Sequence, residues 1–239
     1  MKLFKNIKNW LENQEHLFYL FLFILIVPNM VLCFTEPLPF MAKVANVLLP
    51  FGCYYLLMTL SRNCGKMLWI LFLFLFFGAF QIVLLYLFGQ SIIAVDMFLN
   101  LVTTNSSEAL ELLDNLTPAI IAVIILYVPA LILGMISIIR KRKLTVEFIR
   151  RERKRAFLVF GISLLSLVGA YVQDSGYELK SDLYPLNVCY NVGLAFQRTA
   201  LTQDYHRTSK DFTFHARPPH AEGKREVYVM VIGETSRAL

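Results

Sequence analysis

Charge is what this chain has least of. Only 17% of its 239 residues are Asp, Glu, Lys or Arg, while 57% are hydrophobic and 14% aromatic, which excludes both an ordinary soluble domain and a disordered tail. Residues 91–116 contain no Lys or Arg at all. Metal-ligand spacing is missing as well. The four cysteines, Cys33, Cys53, Cys64 and Cys189, form no paired motif, and three of them lie in or beside apolar runs, where Cys behaves as a small hydrophobe. No disulfide framework follows, and there are no internal repeats or low-complexity tracts. The net charge of +6 suggests nucleic acid only until it is located. Residues 1–172 hold 15 Lys and Arg against 9 Asp and Glu, whereas residues 173–239 hold 8 against 8. All of the excess sits in the apolar part, so no nucleic-acid partner is expected.

What the chain has is long apolar runs. Five of them, at about 17–34, 44–60, 67–89, 119–139 and 156–172, are of bilayer-spanning length and predict a mainly α, five-span membrane domain over residues 1–172. A signal peptide fits the first run poorly: it is long for a signal core, Glu12 and Glu15 precede it, and no small-x-small cleavage site follows. Pro28 and Pro50 interrupt the first two runs, which points to a packed bundle whose neighbours satisfy the freed carbonyls. Thr117 as N-cap and Pro118 at the first helical position are expected to open the fourth.

Orientation follows from the cations. Three lie in the N-terminal segment, two in the 61–66 turn and nine in the basic loop 140–155, against Lys43 alone on the other side. Retention of Lys and Arg in the cytoplasm then puts the N-terminus inside and everything after residue 172 outside. A specific anionic-lipid site is the rival reading of the basic loop, for which topology by itself accounts.

The cation-free segment at about 91–113 reads as an amphipathic helix lying in the outer interface, since Asp96, Asn100, Thr104 and Glu108 recur every four residues while Ile93, Met97, Phe98, Leu101 and Val102 fall largely on other faces. By residue chemistry alone that stripe is better read as an ordinary wetted helix face, with residues 105–108 as a capping box for a second short helix. Residues 173–224 form an outer linker with a surface helix at about 185–198 and a polar stretch from 199 carrying His206, His215 and His220, too irregularly spaced for a metal set.

From Val227 to Ile232 the chain is almost continuously β-branched, aromatic or apolar, the pattern of a strand covered on both faces, and it stops at Gly233. Residues 225–239 therefore read as the first strand and turn of an α/β domain, expected to be truncated, because one strand has nothing to pair with. Glu234 stands at the strand end, where a carboxylate suits either a metal or the first turn of a helix.

The run Val231-Ile232-Gly233-Glu234-Thr235-Ser236-Arg237, preceded by five spans, resembles the opening of the catalytic domain of bacterial phosphoethanolamine transferases. The segment from Asn100 to Ala109 is similar to that family's interfacial element. The resemblance implies an alkaline-phosphatase-like domain and a zinc-activated threonine that moves phosphoethanolamine from phosphatidylethanolamine to lipid A or another envelope glycan. It makes Glu234 a zinc ligand and Asn100, Thr104 and Glu108 substrate-binding residues. Thr235 is not the implied nucleophile, which belongs to a later motif expected beyond Leu239. The expected location is the bacterial inner membrane, in contact with membrane lipids. Two rivals remain: a phosphoglycerol transferase of the same superfamily, which the Gly-Glu-Thr strand end disfavours, and a non-catalytic membrane protein that binds lipid or a partner through the outer helix.

Overall fold

The computed structural model describes residues 10–88 and 106–208, the side chains at 87–88, 106–115 and 202–208 excepted. The proposed strand at 225–239, with Glu234, and the stretch holding Asn100 and Thr104 lie outside the described residues. The chain divides into two compact units, Met1–Ala200 and Leu201–Leu239, and the packing below is that of the first.

The described residues are mostly helical, and no strand occurs among them. In order they form α1 (Gln14–Thr35), α2 (Phe40–Met58), α3 (Cys64–Ile70), α4 (Phe72–Phe88), α5 (Ser106–Ile139), α6 (Val146–Gln173), the single turn α7 (Leu179–Asp182) and α8 (Leu186–Thr208). Among these, α1, α2, α5 and α6 are long and apolar enough to cross a membrane, and α3 with α4 makes a fifth crossing if that bent pair is one span. Their outward faces fit that reading. Phe23, Phe76, Ile125, Ile132, Phe157, Leu165 and Val172 are all exposed, more apolar surface than water tolerates on a monomer.

Three of the helices start at a side-chain cap. The Asn13 side chain accepts the Glu15 amide at 2.9 Å, and Glu15 itself favours the positive end of α1. Asn63 caps α3 by accepting the Lys66 amide at 2.8 Å, and Thr145 caps α6 by accepting that of Phe148 at 3.2 Å. The bundle is then held by small residues at helix crossings, as expected where lipid gives helices no hydrophobic reason to associate. On α2 and α6, Ala42, Ala45, Ala156 and Ala170 are fully buried, and a Cβ on Gly52 would lie 3.1 Å from the Phe160 Cα. Pro28 in α1 faces Gly78 of α4, where an added Cβ would lie 2.8 Å from the proline Cγ.

The tightest approach joins α3 to α5. A Cβ on Gly65 would lie 2.2 Å from the Gly134 carbonyl oxygen, an overlap that only backbone movement relieves. Trp69 reinforces this crossing by donating its Nε1–H to the Leu131 carbonyl at 3.3 Å. Gly65→Ala is therefore expected to destabilise the protein by about 1–3 kcal/mol, whereas Gly161→Ala, with nothing within 4 Å, should be neutral or better. Thermal midpoints of the two variants in one detergent check this, and equal midpoints would contradict the contact.

Four expectations are corrected here. The 67–89 run is not one straight helix. It starts earlier, at Cys64, and bends by 63° between α3 and α4 at Leu71, because α3 is pulled against α5 at Gly65 while α4 follows its own packing. The fourth span is not opened by Thr117 and Pro118: α5 runs unbroken from Ser106, with Pro118 and Pro129 inside it. Residues 106–113 thus continue into the span instead of ending a separate interfacial helix. Flanking helix formers such as Ala109, Leu110 and Leu112 outweigh the one amide that Pro118 removes from the ladder. Finally, the basic loop 140–155 is mostly helix, since α6 begins at Val146. Helix α8 likewise continues to Thr208, into residues read as a polar linker.

Candidate functional site

The cation-bearing connections meet at one end of the bundle. Leu144 N–H donates to the Arg62 carbonyl at 2.7 Å and the Arg62 Nε–H returns a bond to the Leu144 carbonyl at 2.9 Å. The Asn63 amide donates to the Ser137 and Arg142 carbonyls at 3.1 and 3.0 Å. Arg142 reaches the Glu12 carbonyl at 3.1 Å, while the Ser137 hydroxyl donates to the Gln14 side chain at 2.6 Å. The start of α1, the α2–α3 turn and the α5–α6 turn are thereby stitched together as the basic end.

A buried carboxylate lies just inside it. Glu152 of α6 has 0% side-chain exposure and takes Arg151 at 2.9 Å and Arg155 at 3.0 Å, both on Oε1, while Oε2 accepts the Tyr55 hydroxyl from α2. Aromatic rings close round it: Phe148 packs edge-on against Phe18 and Tyr19, and the Arg151 guanidinium lies 5.2 Å from the Phe148 ring centre. This clamp ties α6 to α1 and α2 at the level where α6 enters its apolar stretch.

The opposite end is held by buried groups that are polar and neutral. Asn29, inside α1, donates to the Asn46 carbonyl at 2.9 Å and to the Tyr184 carbonyl at 2.7 Å. Asn46 in turn donates to the Asp182 carbonyl at 2.6 Å and accepts the Tyr177 hydroxyl. Burial pushes the Tyr177 pKa well above its ordinary value, so that hydroxyl stays a donor. Two helical spans are thus pinned to the segment between α6 and α8, where the Tyr184–Pro185 peptide bond is cis. Around this network, the Asn187 amide (0% exposed), the Asn29 Oδ1 and the Tyr127 hydroxyl are buried and have no partner among the described residues. Beside it an apolar cavity of about 280 Å³ is lined by Tyr54, Phe74, Phe160, Leu183 and Leu186 among others. Neutral amides and phenols of this kind can orient a polar group at the mouth of an apolar groove, which suits holding a lipid more than breaking a bond.

Of the four site residues assigned from sequence, only Glu108 falls within the described backbone, in the first turn of α5. Asn100, Thr104 and Glu234 lie outside it. Ser106 and Ser137 stand on one continuous helix, about 46 Å apart at 1.5 Å per residue, and Ser137 belongs to the basic end. The Glu108 position is therefore at the polar end, as is the exit of α6, where the Gln173 side chain accepts the Met41 amide at 2.7 Å. Among the described residues no group of three His, Cys, Asp or Glu side chains could hold a metal, so these residues do not supply a zinc site. The four cysteines are free.

Asn29, Asn46 and Glu152 carry most of the buried polar bonding, and sequence reasoning passed over them. A signal existed for the first two, since polar side chains inside apolar runs are costly unless they face the bundle interior. No protein family, no curated protein and no solved structure was found to match this chain.

Proposed function

We propose that this chain belongs to a bacterial inner-membrane enzyme that transfers phosphoethanolamine from phosphatidylethanolamine to lipid A or another envelope glycan. In that reaction the bond between the donor's phosphorus and its glycerol oxygen breaks, diacylglycerol leaves with the proton given up by the acceptor, and a new phosphorus–oxygen bond forms with an acceptor hydroxyl or phosphate oxygen. The supporting observation is the sidedness of the bundle: the Glu108 turn of α5 and the exit of α6 share the end opposite the clustered cations. Asn100, Thr104 and Glu108 would hold the donor head group in the outer leaflet, with the carboxylate facing the ethanolamine ammonium. Glu234 is assigned to zinc on the same side, in the α/β domain that the Gly-Glu-Thr run begins. The polar cluster around Asn46 and Asn187, beside the apolar cavity, is consistent with a lipid held at this end.

Sidedness is directly measurable. Reporter fusions after Lys66 and Arg155 are expected to be cytoplasmic, and fusions after Asn105 and Glu222 periplasmic. A cytoplasmic signal at Glu222 would sink the reading, because phosphatidylethanolamine bound by α5 and the Gly-Glu-Thr turn would then lie on opposite sides of the membrane.

A further inference from the structure

We propose that the basic end contains a discrete site for an anionic phospholipid, with the lipid phosphate between Arg62, Arg150, Arg153 and Lys154 and the first part of an acyl chain along Phe157. Topology requires cations at this end but says nothing about how they are arranged, and the arrangement is what carries the inference. A cavity of about 510 Å³ is lined by these four cations and by Val146, Ile149 and Phe157, with no acidic residue in its wall. Arg62 arrives from the α2–α3 turn, remote in sequence from the other three.

The rest of the wall follows helical spacing. Val146, Arg150, Arg153, Lys154 and Phe157 recur at intervals of three and four, so one face of α6 turns toward the cavity. The neighbouring arginines Arg151 and Arg155 turn away and share the single charge of Glu152. The acid on this helix that is buried is thus committed to the other face. Arg62 and Arg153 are positioned only by neutral carbonyls, through Nε to Leu144 at 2.9 Å and through Nη2 to Thr59 at 2.7 Å, which leaves their charge uncompensated. Arg150 and Lys154 have no hydrogen-bond or ion-pair partner among the described residues.

The depth of the site selects a lipid over a soluble anion. From Ala156 to Gln173 α6 carries no charged residue, and Phe157 is 61% exposed one turn beyond Arg153 and Lys154. The cations therefore stand at the head-group level, with apolar surface continuing directly below them, as an amphiphile with a phosphate head and a hydrocarbon tail requires. Phosphatidylglycerol supplies that chemistry with net charge, and phosphatidylcholine supplies the same phosphate without it.

The test reconstitutes the purified chain in nanodiscs of phosphatidylcholine and titrates in phosphatidylglycerol, following the thermal midpoint, with inorganic phosphate as a separate arm. Phosphatidylglycerol should raise the midpoint saturably. The double substitution Arg150→Gln and Lys154→Gln should weaken its apparent affinity about tenfold or more, while Lys141→Gln with Lys143→Gln, removing equal charge from the same end, should change it less than about twofold. Equal losses in the two double variants would reduce the effect to diffuse surface charge and overturn the site. A full shift with inorganic phosphate alone would overturn the lipid as occupant, and no preference for phosphatidylglycerol in the parent protein would overturn both. Should the double variant fail to fold, Arg150→Gln and Lys154→Gln singly are each expected to lose about threefold, and native mass spectrometry of the parent protein should show one retained phosphatidylglycerol. Its absence there would likewise contradict the proposal.

Discussion

Substituting both Arg151 and Arg155 by Ala should destabilise the protein more than substituting the Glu152 they neutralise. Glu152 is fully buried, whereas Arg151 and Arg155 are 54% and 58% exposed. Removing the arginines strands a buried carboxylate with only the Tyr55 and Tyr19 hydroxyls for company, which costs about 3–5 kcal/mol. Removing Glu152 instead lets both arginines return to water, so the loss is that of the Tyr55 acceptor and a small cavity, about 2–3 kcal/mol. Tyr55→Phe should cost about 1–2 kcal/mol and should be non-additive with Glu152→Gln. Thermal or denaturant midpoints in one detergent give the ordering. If the double arginine variant proved as stable as Glu152→Ala, the clamp would be no more than a surface ion pair.

The second large effect concerns activity. If Asn100 and Glu108 hold the donor head group, Asn100→Ala and Glu108→Ala in the full-length enzyme should each lower phosphoethanolamine transfer about tenfold to a hundredfold, and together abolish it, with expression and membrane insertion unchanged. A charge-assisted hydrogen bond is worth about 1.5–3 kcal/mol, which sets that scale. Glu108→Gln should fall between, because it keeps the acceptor oxygen and loses the attraction for an ammonium. Near-normal transfer in both alanine variants would return this stripe to an ordinary wetted helix face.

The apolar runs were the most legible feature of the sequence, for a physical reason. A bilayer demands about twenty consecutive apolar residues, and α1, α5 and α6 each contain the run that announced them, while α2 contains all but the last two residues of its run. The break at Leu71 was not legible: the surrounding Leu68-Trp69-Ile70-Leu71-Phe72 holds neither Gly nor Pro, and its cause lies in the meeting of Gly65 with a glycine far along the chain, Gly134. Prolines misled in the opposite direction, since Pro118 looks like a helix start and lies within α5. The buried role of Glu152 was hidden among nine cations, because nothing local reveals that α6 extends through them and turns its faces to different partners. Nor could sequence bring Arg62 beside Arg150. Of the residues assigned to chemistry, Asn100, Thr104 and Glu234 rest on the resemblance and on spacing, and Glu108 gains from the fold its position at the polar end.

The central claim is met most directly by following the donor. Membranes containing the whole enzyme, the nucleophile's motif included, and supplied with phosphatidylethanolamine labelled in its ethanolamine and separately in its acyl chains, should yield labelled acceptor glycan and labelled diacylglycerol in equal amounts, and Glu234→Ala should abolish both. Membranes that form neither product above those lacking the protein would contradict the account.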